Sequence, residues 1–408
     1  MKCRHCAQAI DLPFLDLGSA PPSNAYLSAA QLAGPETWYP LRVLVCRHCW
    51  LVQTDDYAHH SELFSDDYAY FSSISTSWLA HARTYVMQML ERFALHADSH
   101  VVEVAANDGY LLQYVRQAGI GCLGIEPTAS TARAARERGI PIVEAFFGAS
   151  LAQQLRQQGH AADLMVANNV LAHVPDINDF VAGFAALLKP QGVATFEFPH
   201  LLRLIAECQF DTIYHEHFSY LSFTTVQRIL QANGLTAFDV QELSTHGGSL
   251  RVFAQRADTG DQVVQPAVAS TREREQAAGL LAPAQYAAFQ ARADDVRDGL
   301  IRFLLEARQS GKIVAAYGAA AKGNTLLNYA GIRPGLVRWV VDRNPAKQGQ
   351  FMPGSRIPIV DETWLAREKP DFILVLPWNL LDELTRQLEY TRDWGAQLVT
   401  AVPELELR

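Results

Sequence analysis

Two short cysteine pairs constrain this chain more than anything else in it. Cys3-Arg-His-Cys6 and Cys46-Arg-His-Cys49 carry the same two-residue filler and lie 39 residues apart. Two such pairs supply four thiolates in the tetrahedral arrangement that zinc prefers, and in a reducing compartment they read as metal ligands rather than disulfides. Four sulfurs leave no open coordination position, so the expected zinc is structural. Between the pairs lie Pro13, Pro21, Pro22 and Pro35 and a short apolar run at 41–45. This predicts a small β-rich unit over residues 1–66 that needs its metal because its core is thin. His5 and His48 are expected beside the metal or exposed. Cys122 and Cys208 sit among apolar residues and read as buried bystanders.

At 408 residues the chain is too long for one ordinary domain. After an aromatic, hydroxyl-rich connector at 68–75, Trp78, Ala82, Val86, Leu90 and Phe93 recur at helical spacing. Strand-like and helix-like segments then alternate. Residues 101–105 read as a buried parallel strand, Asn107-Asp-Gly109 as a tight turn and 110–117 as the start of a helix. Strands are expected again at 122–126, 141–147, 162–170 and 192–199. A helix at 224–233 and a hairpin of 235–243 with 249–254 close the unit. Glu126 ends the second strand, where an acid can take both hydroxyls of a ribose. Gly109 lets a ligand approach the backbone. The loop lacks the Gly-x-Gly-x-x-Gly spacing a pyrophosphate wants, and Glu103 would repel phosphate. A carboxylate there suits the cationic methionine end of S-adenosylmethionine better than NAD. Asn168, Asn169 and His173 follow the fourth strand, at the end where such sheets hold ligands.

The stretch Phe210-Asp-Thr-Ile-Tyr-His-Glu-His-Phe-Ser-Tyr220 follows the fifth strand. It is too polar for a core strand and too aromatic for a solvated loop. A strand would separate Tyr214 from His217, whereas a helical turn would bring them together. Its density of proton donors and acceptors points to acid–base work, with a surface hairpin of hydrogen-bonded histidines as the plainer reading.

A mostly helical stretch at 271–310 leads to a second βαβ pattern, with strands expected at 312–317, 337–342 and 371–376. Backbone N–H groups at 319–323 and Lys322 could hold a diphosphate at a helix N-terminus, although the middle glycine of the dinucleotide pattern is missing. A net charge of −9 argues against a nucleic-acid surface. No apolar run is long enough for a membrane span, and the first residues lack a signal-peptide pattern, so a cytoplasmic protein is expected.

Five motifs occur in one order: the cysteine pairs, Glu103-Val-Ala-Ala-Asn-Asp-Gly-Tyr-Leu-Leu112, Tyr214-His-Glu-His217, His246-Gly-Gly-Ser-Leu-Arg251 and Tyr317-Gly-Ala-Ala-Ala-Lys322. Together they resemble the three-domain sugar C-methyltransferases that make branched deoxysugars of the tetronitrose and mycarose type. The resemblance covers essentially the whole chain. It implies an α/β protein with a zinc-binding unit (1–66), a central class I methyltransferase domain (67–260) and a C-terminal Rossmann-like domain (261–408) that helps hold the nucleotide. It implies S-adenosylmethionine as cofactor and a TDP- or GDP-linked 4-keto-6-deoxy sugar as substrate, with methylation at C3 or C5, in a monomer or weak oligomer. Position by position, it assigns catalysis to Tyr214, Glu216, His217 and His173. Glu103, Ala105, Asn107, Gly109, Glu126, Phe146, Asn168 and Asn169 would line the cofactor. Tyr70, His246, Gly248, Arg251, Lys322 and Asn324 would meet the substrate. Ala106 departs from the family, which often has serine there, and so lacks one hydroxyl. On this reading His217 is the base, Glu216 orients it, and Tyr214 and His173 steady the enolate oxygen. A sugar O-methyltransferase, a nicotinamide-dependent oxidoreductase and a noncatalytic zinc adaptor are the competing readings.

Overall fold

A computed structural model describes residues 1–55 and 71–408. Tyr70, the first part of the aromatic connector and the expected boundary near residue 66 fall outside the described residues. Three sheets organise the rest, and each draws on a different kind of sequence pattern.

The N-terminal sheet begins with β1 (Leu12–Ala20), β2 (Tyr39–Val45) and β3 (Val52–Thr54), all antiparallel. Its fourth strand is supplied from far along the chain: Ser219–Tyr220 pairs antiparallel with β3, Val52 against Tyr220 and Gln53 against Ser219. The two cysteine turns are copies of each other. Ala7 N–H donates to the Cys3 carbonyl and Trp50 N–H to the Cys46 carbonyl, and both residues have positive φ, 58° and 65°. The expectation of a thin core needs correcting. Phe14 stacks on Phe289 at 4.5 Å and Trp50 on Tyr286 at 6.1 Å, so the sheet shares one apolar core with the last domain.

The central sheet holds β4 (His100–Val104), β5 (Gly121–Ile125), β6 (Ile142–Val143), β7 (Ala162–Asn168) and β8 (Leu188–Pro199). Ser219–Tyr220 is β9, and the hairpin β10 (Leu235–Leu243) with β11 (Ser249–Arg256) completes the sheet. The order is β10-β11-β8-β7-β4-β5-β6, with β11 antiparallel to β8. Strands β4 and β7 are Val-, Leu- and Ala-rich and buried on both faces, as a parallel sheet covered by helices requires. This is the expected class I methyltransferase arrangement, its closing hairpin included. The third strand is shorter than expected: only Ile142–Val143 pairs, and Phe146 beyond it is 58 % exposed.

The helical connector is three helices, Pro266–Ala277, Pro283–Ala287 and Phe289–Gln309. The first packs on the central domain. Its buried Glu275 accepts from His200 Nε2 at 2.7 Å, Phe223 N at 2.6 Å and Thr224 N at 2.8 Å, capping the helix Phe223–Ala232. The last sheet, β12 (Val314–Tyr317), β13 (Val340–Val341), β14 (Ile359–Val360), β15 (Phe372–Val375), β16 (Gln397–Thr400) and β17 (Glu406–Leu407), has the order β14-β13-β12-β15-β16-β17. Its strand order reverses between β12 and β15, where an open α/β sheet has its ligand crevice. Lys322 and Trp378 follow those two strands.

Candidate active site between three domains

The four sulfurs lie within 4.8 Å of one another, with Cys3 Sγ–Cys49 Sγ at 3.4 Å and Cys6 Sγ–Cys46 Sγ at 3.5 Å. A tetrahedron with Zn–S bonds of about 2.3 Å has sulfurs roughly 3.8 Å apart, so the donor set fits zinc with no fifth position. His5 turns to Asn178 at 2.8 Å, and His48 is exposed.

At the carboxyl end of β4 the loop is tightly wound. Ala105, Asn107 and Gly109 all have positive φ, at 55°, 49° and 77°. Two non-glycine residues in that region within one short loop mark a conformation held for a purpose. Asn107 N–H and Thr128 N–H donate to Glu126 at 2.9 and 3.0 Å, and the Thr131 hydroxyl adds a third bond at 3.0 Å. Glu126 thus braces the loop as well as ending its strand. Glu103 is fully buried, and neither of its oxygens has a partner at hydrogen-bond distance. Burial, with Glu126 nearby, pushes its carboxyl well above the usual range, and the Tyr110 side chain only partly opposes this. The side-chain amide of Asn168 and the oxygen of Asn169 are also buried without partners. Orphaned polar groups around an opened backbone loop are what a ligand with an ammonium and hydroxyls would satisfy, so these residues fit S-adenosylmethionine.

The 210–220 stretch resolves as a turn. His217 N–H donates to the Tyr214 carbonyl at 3.0 Å, and the two rings lie 4.0 Å apart. This is the helical-turn alternative. His215 turns the other way, its Nε2 reaching the Pro40 carbonyl at 3.2 Å. His217 Nδ1 lies 3.0 Å from the Thr212 carbonyl, and His173 Nδ1 lies 2.8 Å from the Glu216 carbonyl. A carbonyl only accepts, so each Nδ1 carries the hydrogen and each Nε2 is the lone-pair nitrogen. Burial lowers both imidazoles, His173 to about 4 and His217 well below the ordinary value, with His173 adding to the effect on His217. Both rings are neutral at pH 7.

Glu216 does not orient His217. Its carboxylate accepts from Asn24 at 3.2 Å, its other oxygen is buried without a partner, and burial raises its pKa. Backbone carbonyls do the orienting instead, because the turn directs the Glu216 side chain toward the N-terminal unit.

The expected substrate residues divide. Lys322 and His246 gather at the histidines. Lys322 sits 4.3 Å above the Trp378 ring and donates to Asn379 at 2.6 Å. His246 has φ 54° and stands 5.1 Å from Trp78, and burial lowers it to about 4. Gly247 is required beside it: a Cβ there would come 2.5 Å from Trp378 Cη2. Gly248, at φ 109°, would meet Arg203 Cγ at 2.7 Å. Arg251 has a different task. It is 2 % exposed, clamps Glu197 at 2.6 and 2.7 Å and lies over the Tyr85 ring, so it braces the sheet and is not presented to a ligand. Asn324 is wholly buried and donates to the Ser23 carbonyl at 2.5 Å, joining the first and last domains.

Sequence reasoning missed Asp211, Trp378 and the His81–Glu197 pair. Trp378 Nε1 donates to Asp211 at 2.8 Å, and His81 Nε2 reaches Glu197 at 2.9 Å. Burial raises Asp211 to about 6, while Lys322 and Trp378 hold it from rising further. Asp211 lies within the stretch already singled out. Trp378, in Pro-Trp-Asn after a strand of the switch point, carried the only other signal.

Comparison with known proteins bears on the chain as a whole. A zinc binding domain model matches residues 3–64, a methyltransferase domain model residues 78–240, and a C-methyltransferase C-terminal domain model residues 244–403. C-methyltransferase NovU of Streptomyces niveus is 35 % identical over 403 residues, 99 % of this chain and 96 % of that one. Trans-aconitate 2-methyltransferase of Paracidovorax citrulli is 34 % identical over 114 residues, 28 % of this chain and 43 % of that one. Among solved structures, a Burkholderia thailandensis 1,6-didemethyltoxoflavin-N1-methyltransferase has a TM-score of 0.37 and 17 % identity, covering 51 % of this chain and 96 % of that one. Three domain models matched in sequence order, and a C-methyltransferase matched from end to end, place this chain in the C-methyltransferase family.

Proposed function

We propose that the protein methylates a carbon next to the ketone of a nucleotide-linked 4-keto-6-deoxy sugar, at C3, with His217 as the base. The observation that carries this is the pair of neutral, buried imidazoles, each locked by a backbone carbonyl so that Nε2 is the accepting nitrogen. The substrate class comes from the motif resemblance.

A sugar carbon becomes nucleophilic only after losing a proton made acidic by the neighbouring ketone. His217 Nε2 accepts that proton, and the C–H electron pair moves into a carbon–carbon double bond as the ketone oxygen becomes an enolate. That oxygen undergoes the largest change of charge, and Tyr214, beside His217, is the residue to hydrogen-bond it; neutral His173 has already given its one N–H to the Glu216 carbonyl, so it packs against the base and does not donate. S-adenosylmethionine, when bound, supplies an electrophilic methyl carbon and leaves as the neutral thioether. Glu103, Asn107, Asn168 and Asn169, at the ends of β4 and β7, would hold it, with Phe146 and Glu126 as further lining residues. Lys322, at the switch point of the last sheet, suits the diphosphate. Burial lowers its pKa and Asp211 opposes this, so a bound anion would reinforce its charge.

The test is deuterium uptake by TDP-4-keto-6-deoxyglucose in D2O with S-adenosylhomocysteine present, followed by NMR. Both C3–H and C5–H flank the ketone. Enzyme-dependent loss of the C3 signal supports the proposal, and loss of C5 alone moves methylation to that carbon. No exchange at either, with methyl transfer to a hydroxyl, would replace it by an O-methyltransferase.

A further inference from the structure

His217 is aimed from outside its own domain. Its Nδ1–H bonds to the carbonyl of Thr212, in the single helical turn Phe210–Thr212. Two side chains of the C-terminal domain grip that turn. Trp378 Nε1 donates to Asp211 Oδ2 at 2.8 Å, and Thr325 Oγ1 donates to the Ile213 carbonyl at 2.8 Å. These contacts bracket the Thr212 carbonyl by one residue on each side. A peptide unit is planar, so fixing its neighbours fixes the direction in which that carbonyl points, and with it the imidazole. Trp378 is itself anchored, by Lys322 over its ring at 4.3 Å and by close approach of Gly247. Asp211 is wholly buried and its second oxygen has no partner, so the indole N–H is a bond the turn cannot replace cheaply.

We infer that Trp378 and Thr325 are positioning residues for His217, acting through the 210–213 turn, so that the C-terminal domain aligns the base. This rests on His217 being the base.

The experiment uses the full-length chain and the variants Trp378→Phe, which keeps a ring and loses the N–H, and Thr325→Val, which keeps the shape and loses the hydroxyl. Deuterium uptake by TDP-4-keto-6-deoxyglucose is measured with S-adenosylhomocysteine, alongside calorimetric affinity for S-adenosylhomocysteine and the melting temperature. The expected result is a rate of exchange lower by roughly 10- to 100-fold at saturating sugar nucleotide, with KM and homocysteine-ligand affinity unchanged. An unchanged maximal rate in both variants overturns the inference. So does a parallel fall in rate, affinity and melting temperature, which marks a structural role. His217→Asn separates the two levels. If it exchanges as fast as wild type, the base assignment fails; if it is inactive while Trp378→Phe is normal, only the positioning fails.

Discussion

His173 and His217 meet edge to face with ring centroids 4.5 Å apart, and each reaches a backbone carbonyl through its Nδ1. Two neutral rings can lie this close where two cations could not. His217 can accept a proton while His173, its own N–H given to the Glu216 carbonyl, packs against it without competing charge. The residues come from the end of β7 and from the 214–217 turn, so the contact depends on how those two segments pack.

His217→Asn should remove proton abstraction and methyl transfer by about 10²-fold or more. Affinity for S-adenosylhomocysteine should stay near wild type, because His217 is not among the residues at the end of β4. Calorimetry and mass-spectrometric detection of methylated sugar check both halves. Retention of turnover would discard His217 as base.

Cys46→Ala should lose bound zinc and lower the melting temperature. Activity should fall with it, because β3 pairs with Ser219–Tyr220, immediately after the 214–217 turn. Metal analysis, melting and turnover on the same preparation test this. Full activity in a zinc-free sample would contradict it.

Acid should inactivate late. An ordinary histidine base loses function near pH 6.5, but burial keeps His217 neutral well below that and His173 neutral to about 4. Exchange at saturating substrate should therefore be flat from pH 8 to 6.5 and persist below it. For stability the sign follows from linkage. The unfolded histidines bind protons more readily than the folded ones, so their contribution is full above about 6.5 and is lost as pH falls toward about 4. Asp211, raised to about 6, acts in the opposite sense, favouring the fold as pH drops through that window. Replacing His173 by Gln should therefore flatten the acid side of a plot of melting temperature against pH, and an unaltered slope would count against the burial argument.

Arg251→Ala should cost about 3–5 kcal/mol, because it leaves Glu197 buried without its guanidinium. The loss should appear in the melting temperature first, with KM for the sugar nucleotide little altered in the protein that remains folded. A raised KM at unchanged stability would restore Arg251 to the substrate.

Most of the central sheet was legible because parallel strands are continuous apolar runs ended by turn residues, as in 101–109 and 162–169. The zinc site was legible because its chemistry is local in sequence. What could not be read is where side chains turn once three domains meet. Arg251 follows a glycine-rich loop and has the charge a phosphate wants, yet its strand places it against Glu197. Glu216 adjoins His217 but lies on the far side of the turn. Trp378 and Asp211 are 167 residues apart, and nothing in the local pattern of either announces the other.

The pairing of Ser219–Tyr220 with β3 also bears on how such chains can be recombined. A chimaera that exchanges the first fifty-odd residues for those of a relative would leave the reactive segment without its matching edge, however well the central sheet were preserved. Crossovers that respect this protein would have to move the two stretches together, as though they were neighbours in the gene.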